Sequence, residues 1–503
     1  MRQTGVQLRK FAIFVHRWLG FAFCLLFALW FVSGIVMMYS DYPGVSPKDR
    51  LSKAQALAPE AIHVSPEAAY AALQWSTPPD QVSLAMLDGS AVYRFRSGRS
   101  QALVYADSGE VFRLLPQAGA ARIAAAWSGE PMDRARFEGA ILEPDQWTLG
   151  VQLASLKPLL KYVWPDGQEV YVSAVTGEVV QHTTRGSRIA AYFGAIPHWL
   201  YFTPLRKNGR LWSKVVIWSS GIGTVASLLG LIVGISLYSP SKRFRYIGKP
   251  TSLPYRGQKR WHLILGLIFG LVTCTWVFSG LLSMDPFEGL SDNNDAPFRV
   301  SRVLRGGRLR LASFAGKSPG EALRQVAPEI KAKELELTVF GGESYYLARE
   351  SPNVSRIVPV RGDSIEQFDP ARILKLVAKA SQPAAFAETR VVTEYEAYYL
   401  DRHQQHPLPA LFVRLNDSSG SMFYIDPKTA RLVEAYGSRS RWNRWLYHGL
   451  HSWDLPWLYR NRPAWDIFVL VLLLGGTSLC VTSVILAFQL LRRKFSSEQE
   501  QFS

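Results

Sequence analysis

Charge is missing from four long stretches of this chain. Residues 18–39, 215–238, 262–284 and 467–491 contain no Asp, Glu, Lys or Arg. A helix of about 20 apolar residues crosses a bilayer, so a wholly soluble protein is excluded and four membrane spans are expected. Acid is missing from a second set of stretches. Residues 1–17 hold Arg2, Arg9, Lys10 and Arg17, and residues 239–260 hold Lys242, Arg243, Arg245, Lys249, Arg256, Lys259 and Arg260, with no Asp or Glu in either. Cations in short segments beside spans mark the cytoplasmic face. The net charge of +17 therefore reads as topology, with the lipid bilayer as partner and no nucleic acid. Both termini and the 239–261 loop are expected on the cytoplasmic side, and the two long segments between spans outside. Cysteine is scarce. Cys24, Cys274 and Cys480 all fall inside the apolar stretches, which excludes a disulfide framework and a cysteine metal pair. Also absent are a nucleotide-binding glycine loop, a Cys-x-x-Cys-His attachment motif, a Ser/His/Asp triad and a His-Glu-x-x-His zinc motif. The first apolar stretch is longer than a signal-peptide core and no small-x-small cleavage site follows it, so it reads as a retained anchor.

What is present is a copied pattern. Counted from His16, Gly20 falls at +4, Trp30 at +14, Ser33 at +17, Gly34 at +18 and Met38 at +22; counted from His262, Gly266, Trp276, Ser279, Gly280 and Met284 fall at the same offsets. At 100° per residue +18 returns to the face of the His and +4 and +14 lie about 40° to either side, so one stripe reads His, Gly, Trp, Gly. A His on such a stripe, with a small residue one turn along, suits a flat ligand lying against the helix. The other two spans are approached by a second matched pair. His198 and His451 each precede a Trp by fourteen residues (Trp212, Trp465), with Asn208 and Asn461 at +10 and Gly-Thr eleven residues past each Trp. Prolines and a glycine interrupt both approaches (Pro204, Gly209; Pro456, Pro463), so short helices or turns are expected there rather than one helix. The fold class is a four-transmembrane-helix bundle with an internal two-fold repeat, carrying two outer α+β domains.

The boundaries read as follows: 1–39, cytoplasmic N-terminus and first span; 40–197, first outer domain; 198–238, His segment and second span; 239–261, basic loop; 262–284, third span; 285–440, second outer domain; 441–491, His segment and fourth span; 492–503, cytoplasmic tail. In the outer segments, Ser65-Pro66 and Ser318-Pro319 are helix starts. Alternating runs at 81–87, 92–96, 102–106, 335–340, 345–348 and 357–360, split by Gly turns, are strands.

Neutral imidazole is a metal ligand and an axial ligand of haem iron. Symmetry-related His residues facing each other across a bundle give bis-His ligation. His16 with His262, and His198 with His451, would hold two non-covalent b-type haems at two depths. Ionisable residues in membrane segments default to function. His448 lies one turn before His451 and is an alternative ligand or a propionate contact. Arg17, Arg441, Arg444, Arg460 and Arg462 lie near these levels and suit either a propionate or lipid headgroups. His63, His182, His403 and His406 read as surface residues of the outer segments, the last two with a possible substrate contact.

With these motifs in hand the sequence resembles the PepSY-associated transmembrane family of bacterial inner-membrane proteins. The resemblance rests on His16-Arg17-Trp18-Leu19-Gly20 with Ser33-Gly34, the copy at 262–280, the turns Thr176-Gly177-Glu178-Val179 and Tyr424-Ile425-Asp426-Pro427-Lys428-Thr429, and Gly449-Leu450-His451 followed by Pro463-Ala464-Trp465-Asp466. It implies periplasmic PepSY-like domains on a multi-pass, haem-binding inner-membrane protein, with His16, His198, His262 and His451 as haem ligands and His448 undecided. It further implies a ferric-siderophore reductase, passing electrons to a periplasmic Fe(III) chelate. No flavin or nicotinamide domain follows Lys494, so a separate electron donor is expected, quinol or a cytoplasmic reductase. The alternative is a non-enzymatic membrane protein that binds a peptide or protease, or senses a periplasmic ligand. A transporter is disfavoured, because no Asp, Glu, Lys or Arg lies within the spans.

Overall fold

The computed structural model describes residues 2–287 and 295–501, with side chains described over 6–287 and 295–492. Two compact units emerge. One comprises Met1–Tyr42, Gly186–Ser291 and Arg439–Ser503; the other comprises Pro43–Arg185 and Asp292–Ser438.

The first unit is helical. Its four long helices are Arg2–Met37, Gly209–Leu237, Gly257–Leu282 and Arg462–Gln501. Within them Val6–Met37, Gly209–Leu237, Gly257–Leu282 and Arg462–Arg492 are long and apolar enough to cross a membrane; they are called spans 1 to 4. Spans 1 and 3 each pack against both spans 2 and 4. Lipid supplies no hydrophobic drive between helices, so such bundles close through small residues that let neighbours approach. Gly475 and Gly476 in span 4 serve this end: a Cβ on either would run into the Phe269 or Phe31 ring, and one on Gly223 in span 2 would lie 2.9 Å from Phe27. Short helices Ala195–Trp199 and Thr203–Arg206 lead into span 2, while Leu450–Ser452 and Pro456–Tyr459 lead into span 4.

The second unit is rich in sheet. Its strands are β1 (Gln81–Leu87), β2 (Ser90–Ser97), β3 (Ser100–Tyr105), β4 (Val111–Phe112), β5 (Arg136–Ile141), β6 (Leu159–Val163), β7 (Glu169–Ser173) and β8 (Val179–Thr183) from the first outer segment. A hairpin between spans 2 and 3, in the first unit, supplies β9 (Phe244–Tyr246) and β10 (Lys249–Thr251). The second outer segment adds β11 (Glu334–Phe340), β12 (Glu343–Arg349), β13 (Ser355–Pro359), β14 (Phe386–Val392), β15 (Ala410–Leu415), β16 (Met422–Asp426) and β17 (Arg431–Tyr436). Both expected helix starts form. Ser65 Oγ accepts from the Ala68 amide, and Ser318 with Glu321 makes a full capping box.

The expected separation into a 40–197 domain and a 285–440 domain does not hold. One seven-stranded sheet, ordered β13-β12-β11-β1-β2-β3-β4, takes strands from both segments. β1 and β11 pair antiparallel through Val82–Leu337 and Leu84–Leu335. The physical reason is that neither segment closes its own edge. β1 and β11 would each leave a row of unpaired backbone groups, and pairing them also merges the apolar faces. Val82, Leu84, Tyr93, Phe95, Leu335, Leu337 and Tyr346 form one buried core. Two four-stranded sheets, β5-β6-β7-β8 and β14-β15-β16-β17, complete the unit.

Candidate functional site

The helical unit brings the four matched histidines together in two pairs. The His16 and His262 ring centres are 6.3 Å apart, and those of His198 and His451 are 6.0 Å apart. An imidazole nitrogen lies about 2.0–2.1 Å from a metal it ligates and roughly 1.2 Å from its own ring centre, so two rings sharing one metal have centres about 6.4 Å apart. Both separations match. The planes of His16 and His262, called the inner pair because the cytoplasmic face is expected on their side, differ by 27°, and those of His198 and His451, the outer pair, by 68°; rotation about a metal–nitrogen bond changes this angle without changing the distance, so both fit.

Hydrogen bonding fixes the chemistry of each ring. His16 Nδ1 lies 3.1 Å from the Ala226 carbonyl oxygen. A carbonyl only accepts, so Nδ1 carries the proton and Nε2 keeps its lone pair. The other three reach the same state through hydroxyls. His198 Nδ1 meets Ser33 Oγ at 3.1 Å and the Trp30 carbonyl at 3.2 Å, and Ser33 Oγ donates to that same carbonyl. His451 Nδ1 meets Ser279 Oγ at 2.9 Å, and Ser279 Oγ donates to the Trp276 carbonyl. His262 Nδ1 meets Thr482 Oγ1 at 3.1 Å, and Thr482 Oγ1 donates to the Leu479 carbonyl. Each hydroxyl has spent its proton on a carbonyl and accepts from the imidazole. In all four rings Nε2 is left as a bare donor of electrons. Metal-ligating histidines characteristically donate their other ring N–H in this way, which fixes tautomer and orientation. Burial pushes the imidazole pKa of His198 down to about 4 and, with His198 adding to the effect, that of His451 to about 3. Both rings are neutral at physiological pH, as ligation requires.

Glycines seat the rings. A Cβ on Gly230 of span 2 would lie 2.5 Å from His16 Cε1; one on Gly34 would lie 3.7 Å from His198 Cε1, and one on Gly280 3.8 Å from His451 Cε1. Gly20 faces open space, with nothing within 4 Å of a Cβ there. Span 1 thus carries His16 near one end and seats His198 with Ser33-Gly34 near the other. Span 3 does the same with His262 and Ser279-Gly280 for His451. Seventeen residues at 1.5 Å each separate the two levels by about 26 Å along the helix.

The approaches to spans 2 and 4 share one construction. Leu200 and Trp453, each two residues past its His, hold φ of 54° and 52°, a left-handed conformation that costs a non-Gly residue energy and that clusters at functional sites. Trp212 Nε1 donates to the Trp199 carbonyl, and Trp465 Nε1 donates to the Ser452 and Trp453 carbonyls. The fourteen-residue spacing from His to Trp therefore marks a Trp that pins the turn just past its His. The approach to span 4 has two further features. A π-turn covers Trp445–Gly449, and Arg444, buried, pairs with Asp454 at 2.9 Å. His448 lies on that π-turn, exposed, 4.4 Å from the Tyr447 ring. It is His451, not His448, that faces His198.

Sequence reasoning noted Ser33 and Ser279 only as a repeated offset of +17, without giving them a task; that repeat was the signal. Gly230, the Ala226 carbonyl and Thr482 gave none, because they act from a different span. Of the arginines, Arg444 is committed to Asp454 and Arg462 lies 3.5 Å from Asp466. Among the outer-segment histidines, His182 bonds Gln168 Oε1 at 3.0 Å, and His406 stacks on Tyr399 and lies 3.3 Å from Glu434. Among the described residues no group of three or more His, Cys, Asp or Glu is placed to hold a metal; the sites are pairs. Cys24 and Cys480 are buried in the spans, Cys274 partly so.

No curated protein matches this sequence. A family model does: that of the PepSY-associated TM region, over residues 13–333. The match takes in His16, His198 and His262, three of the four paired histidines, and covers more than half of the chain. Four apolar helices of membrane length and this match together make the chain a multi-pass membrane protein, a member of the PepSY-associated TM family.

Proposed function

We propose that this protein is an inner-membrane di-haem b oxidoreductase that reduces a periplasmic ferric chelate, in the manner of a ferric-siderophore reductase serving iron acquisition. The observation that carries the reading is the identical state of four imidazoles. Each is hydrogen bonded through Nδ1 and bare at Nε2, and each lies 6.3 or 6.0 Å, ring centre to ring centre, from a partner, a spacing at which the two rings would hold one metal between them. His16 with His262 would hold one haem and His198 with His451 the other. Haem b, when bound, supplies a one-electron Fe(III)/Fe(II) couple.

The chain's own residues do the rest. Ser33, Ser279, Thr482 and the Ala226 carbonyl hold the rings in the ligating tautomer and raise their basicity. The spans exclude water from both pairs. Spans 1 and 3 keep the two levels in register, since each helix serves both. The reading includes an internal two-fold arrangement of the halves, cytoplasmic termini, and the sheet-rich unit on the periplasmic side, as the cation distribution implies. The electron comes from a separate donor, quinol or a cytoplasmic reductase. The substrate gains one electron and becomes an Fe(II) chelate, which hard oxygen donors hold less well, so iron is released.

The test is spectroscopic. Purified protein should show a Soret band and, after dithionite, a sharpened α-band. Two haems per chain are expected, with His16→Ala and His451→Ala each removing a different one. Absence of haem bands in wild-type protein would sink the reading, and total loss from either single variant would contradict two independent sites.

A further inference from the structure

The β9–β10 hairpin carries a residue that turn chemistry does not ask for. β9 and β10 pair through Tyr246–Lys249, leaving a two-residue turn of Ile247 and Gly248 with φ of 49° and 75°. Positive φ at both positions is the requirement of a type I′ turn, which favours Asn-Gly. Gly248 meets it without cost. Ile247 does not, because a β-branched residue at positive φ is a genuine outlier. Nor does the side chain gain burial within the chain: at 78% exposure Ile247 is the most exposed large hydrophobic residue described. It is thus strained and unpacked at once.

Its surroundings say what it meets. Lys242, Arg243, Arg245 and Lys249 are all exposed around it, and no acid lies between 239 and 260. The hairpin is tied to the ends of both adjoining spans. The Ser239 amide bonds the Ser252 carbonyl two residues past span 2. At the other side Arg260, on the first turn of span 3, bonds Thr251 Oγ1 through both Nη atoms and stacks on Tyr246 at 4.6 Å. Tyr246 is the neighbour of Ile247, so the tip folds back beside the start of a membrane span instead of projecting away from it. An apolar residue ringed by cations at that level matches the interface of an anionic bilayer, where Lys and Arg meet headgroups and an apolar side chain enters the acyl boundary.

We propose that the 244–251 hairpin is a membrane-surface anchor, with Ile247 inserted at the acyl boundary and Arg243, Arg245 and Lys249 bound to anionic phospholipid headgroups. The inference requires the membrane spans but not haem. It is tested on the full chain carrying Ile247→Cys with a nitroxide label, in a background with the three native cysteines replaced by Ala, in nanodiscs of anionic or of zwitterionic phospholipid. Nanodiscs present the same lipid on both faces, so topology does not affect the result. In anionic nanodiscs the label should be several-fold more accessible to oxygen than to a polar nickel chelate. That preference should fall to the water-like value in zwitterionic lipid, and in anionic lipid when Arg245→Gln and Lys249→Gln are added. A water-like label in anionic lipid would overturn the proposal, as would equal insertion in both lipids. So would a label shielded only after a cell extract is added, which would place a protein partner there. As a second measurement, Ile247→Asn suits the turn and should leave thermal stability in detergent unchanged or raised, while abolishing the extra stability that anionic lipid confers. Retention of that extra stability would count against an inserted tip.

Discussion

Gly230→Ala offers the sharpest test of how the inner pair is held, because the structure gives the size of the conflict. The added methyl would lie 2.5 Å from His16 Cε1, 3.0 Å from Nδ1 and 3.2 Å from Nε2. Ordinary contact begins at about 3.4 Å, so the ring must retreat by about 1 Å, or span 2 must move. Retreat lengthens the 3.1 Å bond from Nδ1 to the Ala226 carbonyl beyond the range of a hydrogen bond. It also spoils the 6.3 Å separation from His262, and metal sites tolerate ligand shifts of only about 0.2 Å. Overpacking of this kind costs about 1–3 kcal/mol, enough to empty a site without unfolding the bundle. The assay is haem per chain by pyridine haemochrome, with a reduced-minus-oxidised spectrum, on purified variant and wild type. If each histidine pair holds a haem, as proposed, the variant should fall from two haems to one and keep the component held by His198 and His451. Gly221→Ala, in the same span, is the control, since nothing lies within 4 Å of a methyl there, and it should keep both haems. Two haems with an unchanged spectrum in Gly230→Ala would refute the assignment of His16 as a ligand seated by span 2, and loss of both would refute the independence of the levels.

Ser279→Ala removes the hydroxyl that accepts from His451 Nδ1–H and leaves the ring only the Trp276 backbone; losing such a partner of a metal-ligating imidazole costs about 10–100-fold in affinity. Haem retention during dilution or apo-protein competition should show the deficit at the outer component alone. In the sheet-rich unit, Glu336 is buried between Arg349 and Arg431. Glu336→Gln leaves both guanidiniums underpaired, and breaking a buried pair costs about 3–5 kcal/mol, with the lower end expected because Arg431 is 45% exposed. A melting curve of the full chain should show the drop. The same carboxyl sets a pH dependence: burial by itself raises its pKa, but Arg431 and Arg349 outweigh burial and hold it below the ordinary value. Its contribution is therefore fully present above the unfolded carboxyl pKa of about 4.3 and is lost as pH falls through the lower folded value. The stability gap between wild type and Glu336→Gln should be flat near neutrality and narrow in acid; a gap that widens in acid would have the wrong sign.

How far the sequence can be read depends on which interactions are local. The spans were legible because freedom from charge over twenty residues has one common solution, a helix in lipid. The strand 81–87 was legible in full, because alternation and the Asp88-Gly89 turn are local. What the chain did not display was the joining of β1 to β11, two strands about 250 residues apart whose pairing follows from unmet hydrogen bonds rather than from any pattern. The same limit governs the site. His16, His262, His198 and His451 stood out by repetition. Gly230 and Thr482 did not, because a glycine or threonine in an apolar helix acquires meaning only when another span's imidazole is laid against it. His451 was favoured by its match to His198, and His448, one turn before it, stayed an alternative until the fold turned His451 toward His198.

The copied pattern on spans 1 and 3 serves two histidine pairs instead of presenting one ligand-binding face. Its His end supplies a ring to the inner pair. Its Ser-Gly end supplies no ring; it accepts a proton from, and makes room for, an imidazole that belongs to another segment. That division explains why the offsets stay fixed over eighteen residues. A helix that served one level would tolerate drift at its far end, since 100° of rotation per residue would only re-aim unused side chains. A helix that serves both must keep Ser33 facing His198 while His16 faces His262, and one inserted residue would swing one end away by about 100°. The backbone at +14 sits inside this constraint too, because the Trp30 and Trp276 carbonyls receive the serine protons that leave each Oγ free to accept from its histidine. The repeat is thus the signature of a rigid rod joining two histidine pairs, and on the proposed reading that rigidity would keep two redox centres at a fixed separation.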